Sequence, residues 1–165
     1  MKSILFITIT CIISVNCIYN IIGTDLETCF NCICFAVTMC NDTLKCAKNS
    51  INESYWEKAG SPTINNKIPS TQEYKNCLKD VNCIYNTMNF YTNVGGSNRD
   101  TNCDGKFDCK DRLAVHFKGH VQNYPLESYI YRRFDNCAVT NNIPVREGWT
   151  SCDLGTIKEV FFGTK

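Results

Sequence analysis

Five cysteines crowd into one short stretch, Cys29, Cys32, Cys34, Cys40 and Cys46, and no other feature restricts the possible folds as severely. The first three stand too close together for convenient pairing with one another, because a disulfide needs Cα atoms about 4.4–6.8 Å apart and suitably directed. At least two of them must reach distant partners and draw the later chain onto this point. The segment reads as a staple point, not as an ordinary helix or strand with a free thiol or two.

Metal binding is the competing reading, since C-x-x-C followed by further cysteines also occurs in zinc sites. The N-terminus argues against it. Lys2 precedes an uncharged run over residues 4–15, and Val15-Asn16-Cys17 offers a small-residue cleavage site; this is the pattern of a secretory signal peptide over residues 1–17. The run is shorter than the ~18 apolar residues of a spanning helix, and no later stretch is longer, so no membrane span is expected. A secreted, extracellular protein passes through an oxidising compartment, where cysteines read as disulfides. Of the 13 cysteines, Cys11 and Cys17 leave with the signal peptide. Cys29, Cys32, Cys34, Cys40, Cys46, Cys77, Cys83, Cys103, Cys109, Cys137 and Cys152 remain as the disulfide framework. Eleven is odd, so one thiol is left over unless the cut falls before Cys17.

Lys2 leaves too, which brings the 17 Lys and Arg level with the 16 Asp and Glu. A neutral chain has no global field to draw it onto nucleic acid, acidic lipid or an anionic wall. No nucleic-acid partner is expected, and any glycan contact has to be local. The length suits one domain, expected as a monomer, with residues 18–28 as lead-in, 29–152 as the domain and 153–165 as a C-terminal tail.

Asn41-Asp42-Thr43 and Asn52-Glu53-Ser54 are N-glycosylation acceptors and imply exposed positions for Asn41 and Asn52. Tyr55-Trp56 reads first as a core anchor and second as a sugar-stacking platform. Residues 60–71, with Pro62 and Pro69, form a loop. Beyond it Tyr74, Cys77, Leu78, Val81, Ile84, Tyr85, Met88 and Tyr91 recur at helical spacing, which predicts one amphipathic helix of about five turns, capped by Ser70 or Thr71 and fastened by Cys77 and Cys83. Gly95-Gly96-Ser97 ends it.

Asp100, Asn102, Asp104, Gly105, Asp108 and Asp111 then occupy places 1, 3, 5, 6, 9 and 12 of a twelve-residue calcium loop. Oxygens from alternate residues converge on a hard cation, and glycine permits the sharp turn. The alternative is a disulfide-held acidic turn without metal. No cofactor is expected for catalysis, and calcium would be structural. Residues 111–118 are expected to be helical, with Leu113, Ala114 and Phe117 inward and Gly119 as the stop. His116 and His120 lack a third metal ligand, so a structural or surface role is expected for them. Another helix is expected over residues 125–136, followed by a loop from 137 to 152, and residues 157–162 are apolar enough to pack back.

Taken in order, CFNCIC, the cysteine six residues after Cys34, Cys46 followed by Tyr55-Trp56, YKNCLKDVNC, and RDTNCDGKFDCKDRLAVHFKG resemble the invertebrate-type lysozymes, also called the destabilase family. The resemblance covers residues 29 to about 120. It implies a small, disulfide-rich, lysozyme-like domain of α+β class, mainly α-helical, that hydrolyses the β-1,4 bond of peptidoglycan, with Glu as general acid and Asp assisting. Protonation of the leaving oxygen and a carboxylate facing the oxocarbenium ion are both needed for that reaction.

The sequence departs from the family where the chemistry lies. The family's acid place holds Val37, and the loop that carries its Asp is shortened to NDTLK. One family cysteine of that loop is missing, which leaves a candidate unpaired thiol near Cys46, and two others are replaced by Ala59 and Thr87. No intact catalytic pair remains; Asp42 and Glu53 are the candidate substitutes, with Glu57 also near. The expectation is a binding protein on a lysozyme scaffold, holding peptidoglycan or another glycan through Tyr55, Trp56 and His116. The alternative is an active antibacterial lysozyme using a substitute acid such as Glu53. An isopeptidase with His116 as base ranks third, because no nucleophile can be placed.

Overall fold

Helix α1, Asp25–Thr38, is the axis of the domain, and its cysteines explain why. Successive helical residues turn by about 100°, at 3.6 residues per turn, so Cys29, Cys32 and Cys34 point in different directions from one rod. The computed structural model, which describes residues 18–93, 100–101, 105–119 and 128–144, joins Cys29 to Cys109, Cys32 to Cys137 and Cys34 to Cys46. The staple point is therefore a helix after all, one whose sulfurs reach three different partners. Phe30, Ile33 and Ala36 are buried beside them.

The other elements pack around this rod. They are α2 (Thr43–Ser50), α3 (Glu53–Lys58), a 3₁₀ turn (Ile64–Asn66), α4 (Thr71–Cys77), α5 (Val81–Asn93), α6 (Cys109–Lys118) and α7 (Ser128–Thr140). Helix α1 packs against α7, α2, α6 and α5, so its three disulfides coincide with three of its packing partners. The mainly helical, disulfide-rich expectation holds, and the described residues contain no strand. No described helix is long and apolar enough to cross a membrane.

Four sequence expectations need correction. The five-turn helix is two helices, α4 and α5, broken at residues 78–80. The reason is the Cys77–Cys83 bond, with Cα atoms 5.2 Å apart: six residues of continuous helix would separate them by ~9 Å along the axis. Lys79 and Asp80 turn the chain through N–H bonds to Asn76 O and Cys77 O, and the Asp80 carboxylate takes the Cys83 N–H at 2.7 Å. Ser70 caps α4 by accepting from Glu73 N. Second, α7 runs on through Cys137 to Thr140, where a loop was expected. It ends where Asn142 adopts positive φ and the Ile143 N–H returns to Ala138 O.

Third, Phe117 faces outward at 43% exposure while Val115 and His116 are buried with Leu113 and Ala114. Fourth, Cys40 is a free thiol among the described residues. Met39 takes a left-handed conformation that ends α1, and Cys40 follows it off the rod. Cys103 and Cys152 lie outside the described residues, as do residues 1–17, Gly95-Gly96-Ser97, His120 and residues 153–165. Ala59 and Thr87 are both buried, and Thr87 hydrogen-bonds Cys83 O through its hydroxyl.

Arg112 of α6 locks the end of α5. Its guanidinium donates to Asn89 Oδ1 at 3.1 Å, Thr92 Oγ1 at 2.8 Å and Asn93 Oδ1 at 3.2 Å, and lies 4.9 Å from the Phe107 ring centre. A planar fork with several donors suits this multiple contact. Lys110, buried on the same helix, sits 3.5 Å from Asp135 Oδ1 of α7 in a charge contact, and that oxygen has no hydrogen bond among the described residues.

The bonds differ in what they do for stability. A cross-link helps by restricting the unfolded chain, at about 3 kcal/mol for a 15-residue loop and about 4.7 for 100 residues. Cys77 and Cys83 are six residues apart, Cys32 and Cys137 105 apart. With Cys29–Cys109 already closed, however, the second loop reduces to the 109–137 segment and the step from Cys29 to Cys32. Removing Cys32–Cys137 by paired Ala substitution is therefore expected to cost about 3–4 kcal/mol, against about 2 for Cys77–Cys83. Urea denaturation of the two variants checks the order.

Candidate functional site

The region that the sequence resemblance assigns to catalysis is the turn from the end of α1 into α2, together with the start of α3. Val37 lies in the last turn of α1, partly buried against the core. After the left-handed Met39, residues 40–42 cross to α2, and Asp42 is the N-cap of that helix. Its Oδ1 accepts from Leu44 N at 2.9 Å and Lys45 N at 3.3 Å, and Lys45 Nζ stands 4.0 Å from Oδ2. The carboxylate thus serves the unpaired N–H groups of the first turn. Asn52 does the same for α3, accepting from Tyr55 N at 2.8 Å. Glu53 follows on the first turn, and its charge adds to burial in raising the Tyr74 phenol.

A polar triangle closes this end of the helices. Tyr85 of α5 donates its hydroxyl to Asn31 Oδ1 at 2.8 Å, and Thr43 Oγ1 lies 3.1 Å from both that oxygen and the Tyr85 oxygen. Burial raises the Tyr85 phenol, the Thr43 bond opposes this, and the Glu27 charge reinforces it. Sequence reasoning missed this triangle, because nothing local marks Asn31 or Tyr85 as partners. It also missed Glu73, a buried carboxylate whose Oε1 meets Asn76 and Lys67 while Oε2 has no hydrogen bond among the described residues.

Tyr55 and Trp56 are buried, so the pair serves the core and offers no open face for a sugar. Trp56 donates its indole N–H to Pro62 O at 2.8 Å. Tyr55 stacks on Tyr91 with ring centres 3.5 Å apart, and its hydroxyl meets His116 Nδ1 at 2.8 Å. His116 is 6% exposed, and its Nε2 has no hydrogen bond among the described residues. The imidazole is held inside the domain by Tyr55, and Tyr55, Trp56 and His116, nominated for glycan contact, are all buried in this arrangement. Burial pushes the imidazole down to about 4. Tyr55 is raised by burial and then by Tyr91. The cluster is a neutral hydrogen-bonded pair inside the domain.

Of the expected calcium ligands, Asn102 and Asp104 lie outside the described residues. Asp111 is buried and takes N–H bonds from Thr101 and Asp108 and the Thr101 hydroxyl. Burial raises its carboxyl, and those bonds work against the rise. Asp108 caps α6, accepting from Lys110 N, and with Asp111 completes a reciprocal capping box. Asp100 accepts from Gly105 N at 2.7 Å; Gly105 has the positive φ that this turn needs. Among the described residues no three His, Cys, Asp or Glu side chains are grouped to hold a metal.

Among known protein families, the one described as Destabilase matches residues 26–137. No curated protein and no solved structure gives a match.

The buried imidazole generates a pH dependence. Unfolded, His116 takes its proton near pH 6.5; folded, only near 4. Between these values the unfolded state binds more protons, so stability falls as pH drops from about 6.5 to 4, by an amount on the order of 3 kcal/mol. Denaturation midpoints measured across this window in wild type and His116→Phe are the check, and the variant is expected to lose that share of the slope.

Proposed function

Because the chain belongs to the destabilase family, we propose that it is a secreted lysozyme-like protein that holds glycan on groups other than the buried Tyr55, Trp56 and His116, while its hydrolysis of the peptidoglycan β-1,4 bond is lost or severely reduced. The observation that carries this reading is Val37 in the acid place, a hydrocarbon packed against the core. No proton can be delivered to the leaving oxygen from there. Asp42 is engaged with Leu44 N and Lys45 N, which leaves the oxocarbenium ion without an uncommitted carboxylate from the shortened loop.

Secretion is supported by the four disulfides that fasten the domain and by the signal-like leader. A monomer and N-linked glycans on Asn41 and Asn52 belong to the same proposal. Both asparagines are exposed, and Asn52 caps its helix through Oδ1, not through the nitrogen that a glycan occupies.

General acid catalysis contributes ~10² to 10⁴ in rate. Purified protein is therefore expected to clear a micrococcal cell-wall suspension at least ~100-fold more slowly than an intact family member, while sedimenting with insoluble peptidoglycan. Clearing at a normal rate overturns the loss of hydrolysis; loss of that clearing in Glu53→Gln then identifies Glu53 as the substitute acid.

Calcium in the 100–111 loop is proposed as a structural ion, on the alternation of its oxygen-bearing side chains. A thermal melt in millimolar calcium is expected to exceed one in chelator, since binding to the folded state stabilises it by mass action. Superimposable melts remove the ion from the proposal.

A further inference from the structure

Residues 18–21 run along one face of α5, held there mostly by asparagines. Asn86, fully buried, accepts from Tyr19 N through Oδ1 at 3.2 Å and donates from Nδ2 to Tyr19 O at 2.7 Å. Its Nδ2 also donates to Asn82 O at 2.8 Å, so two carbonyls fix which end of the amide is nitrogen. One turn earlier, Asn82 Oδ1 accepts from Ile21 N at 2.9 Å. One turn later, Asn89 Nδ2 donates to the Tyr19 hydroxyl while its Oδ1 takes Arg112.

Paired residues of neighbouring antiparallel strands exchange both their N–H and C=O bonds, and a primary amide offers the same donor and acceptor. Asn86 therefore stands in for a neighbouring strand. The spacing also repeats. Two extended residues advance ~6.7 Å and four helical residues ~6 Å, so Tyr19 on Asn86 brings Ile21 onto Asn82. Side chains add selectivity. Ile18 packs against Trp56, Cys77 and Cys83, Tyr19 meets the Phe90 ring edge-on at 6.1 Å, and Ile21 is buried in the core. Gly23, at φ +85°, then turns the chain into α1.

We propose that the Asn82–Asn86–Asn89 face of α5 is a binding site for an extended polypeptide, filled here by the chain's own residues 18–21 and able to take the same sequence from another molecule. Main-chain bonds supply affinity and alternate side chains supply specificity, as when a peptide adds to a sheet edge. The ligand class is a segment with an aliphatic residue, an aromatic, any residue and a second aliphatic. The site is independent of the glycan reading.

The test uses the full chain with its strap disabled by Tyr19→Pro/Ile21→Pro, which removes both N–H groups that the asparagines read. A fluorescent peptide of residues 18–24 is expected to bind this variant saturably, one to one. It is expected to bind wild type far more weakly, because the tethered strap competes at an effective concentration in the millimolar range. Adding Asn86→Ala is expected to abolish binding. With helicity and disulfides intact, no binding by the double variant, or binding that survives Asn86→Ala, overturns the proposal. If the double variant fails to fold, hydrogen exchange on wild type decides. Several millimolar peptide is expected to accelerate exchange at the Tyr19 and Ile21 amides alone, and unchanged exchange there overturns the proposal.

Discussion

Everything described in this domain depends on the divergence of three sulfurs from a single helix. Cys29, Cys32 and Cys34 leave α1 at different angles and bind α6, α7 and α2. Each bond closes a loop that hydrophobic packing then fills, with Phe30 and Ile33 buried between the sulfurs. A chain of this size buries a limited core, and the cross-links supply what packing alone does not by restricting the unfolded ensemble.

Helix α5 is the second organising rod, and it works through polar groups where α1 works through covalent ones. Asn86, Asn89 and Thr92 are buried on it, yet each is hydrogen-bonded, so their burial carries little penalty. They hold the N-terminal strap on one side and Arg112 on the other. Asn89 joins the two, with its amide nitrogen on Tyr19 and its oxygen on the guanidinium. The strap and α6 are thereby linked through one side chain.

Around the expected catalytic mouth, polar side chains do structural work. Asp42 and Asn52 cap helices, and Tyr55 and His116 Nδ1 hydrogen-bond each other in the interior. Short helices need such caps because their unpaired N–H groups are a large share of their backbone. Asp42 sits at the N-cap of α2, where its Oδ1 is taken by two backbone N–H groups.

The sequence by itself determined that cysteines would dominate the fold, that Ser70 or Thr71 and Gly119 would bound their helices, and which family pattern the cysteines follow, a pattern that implied a mainly helical domain. These are local facts of spacing and residue type. It did not reveal that the staple segment is itself a helix, because the reading there rested on cysteine density alone. Nor could it place the break between α4 and α5, where a six-residue disulfide overrode an apolar period continuous in sequence. Only the tertiary structure decided that Tyr55 and His116, 61 residues apart, share a hydrogen bond, and that Asn86 reads the backbone of Tyr19 across 67 residues. Such pairings are set by how helices cross, and no local pattern of residues encodes a crossing.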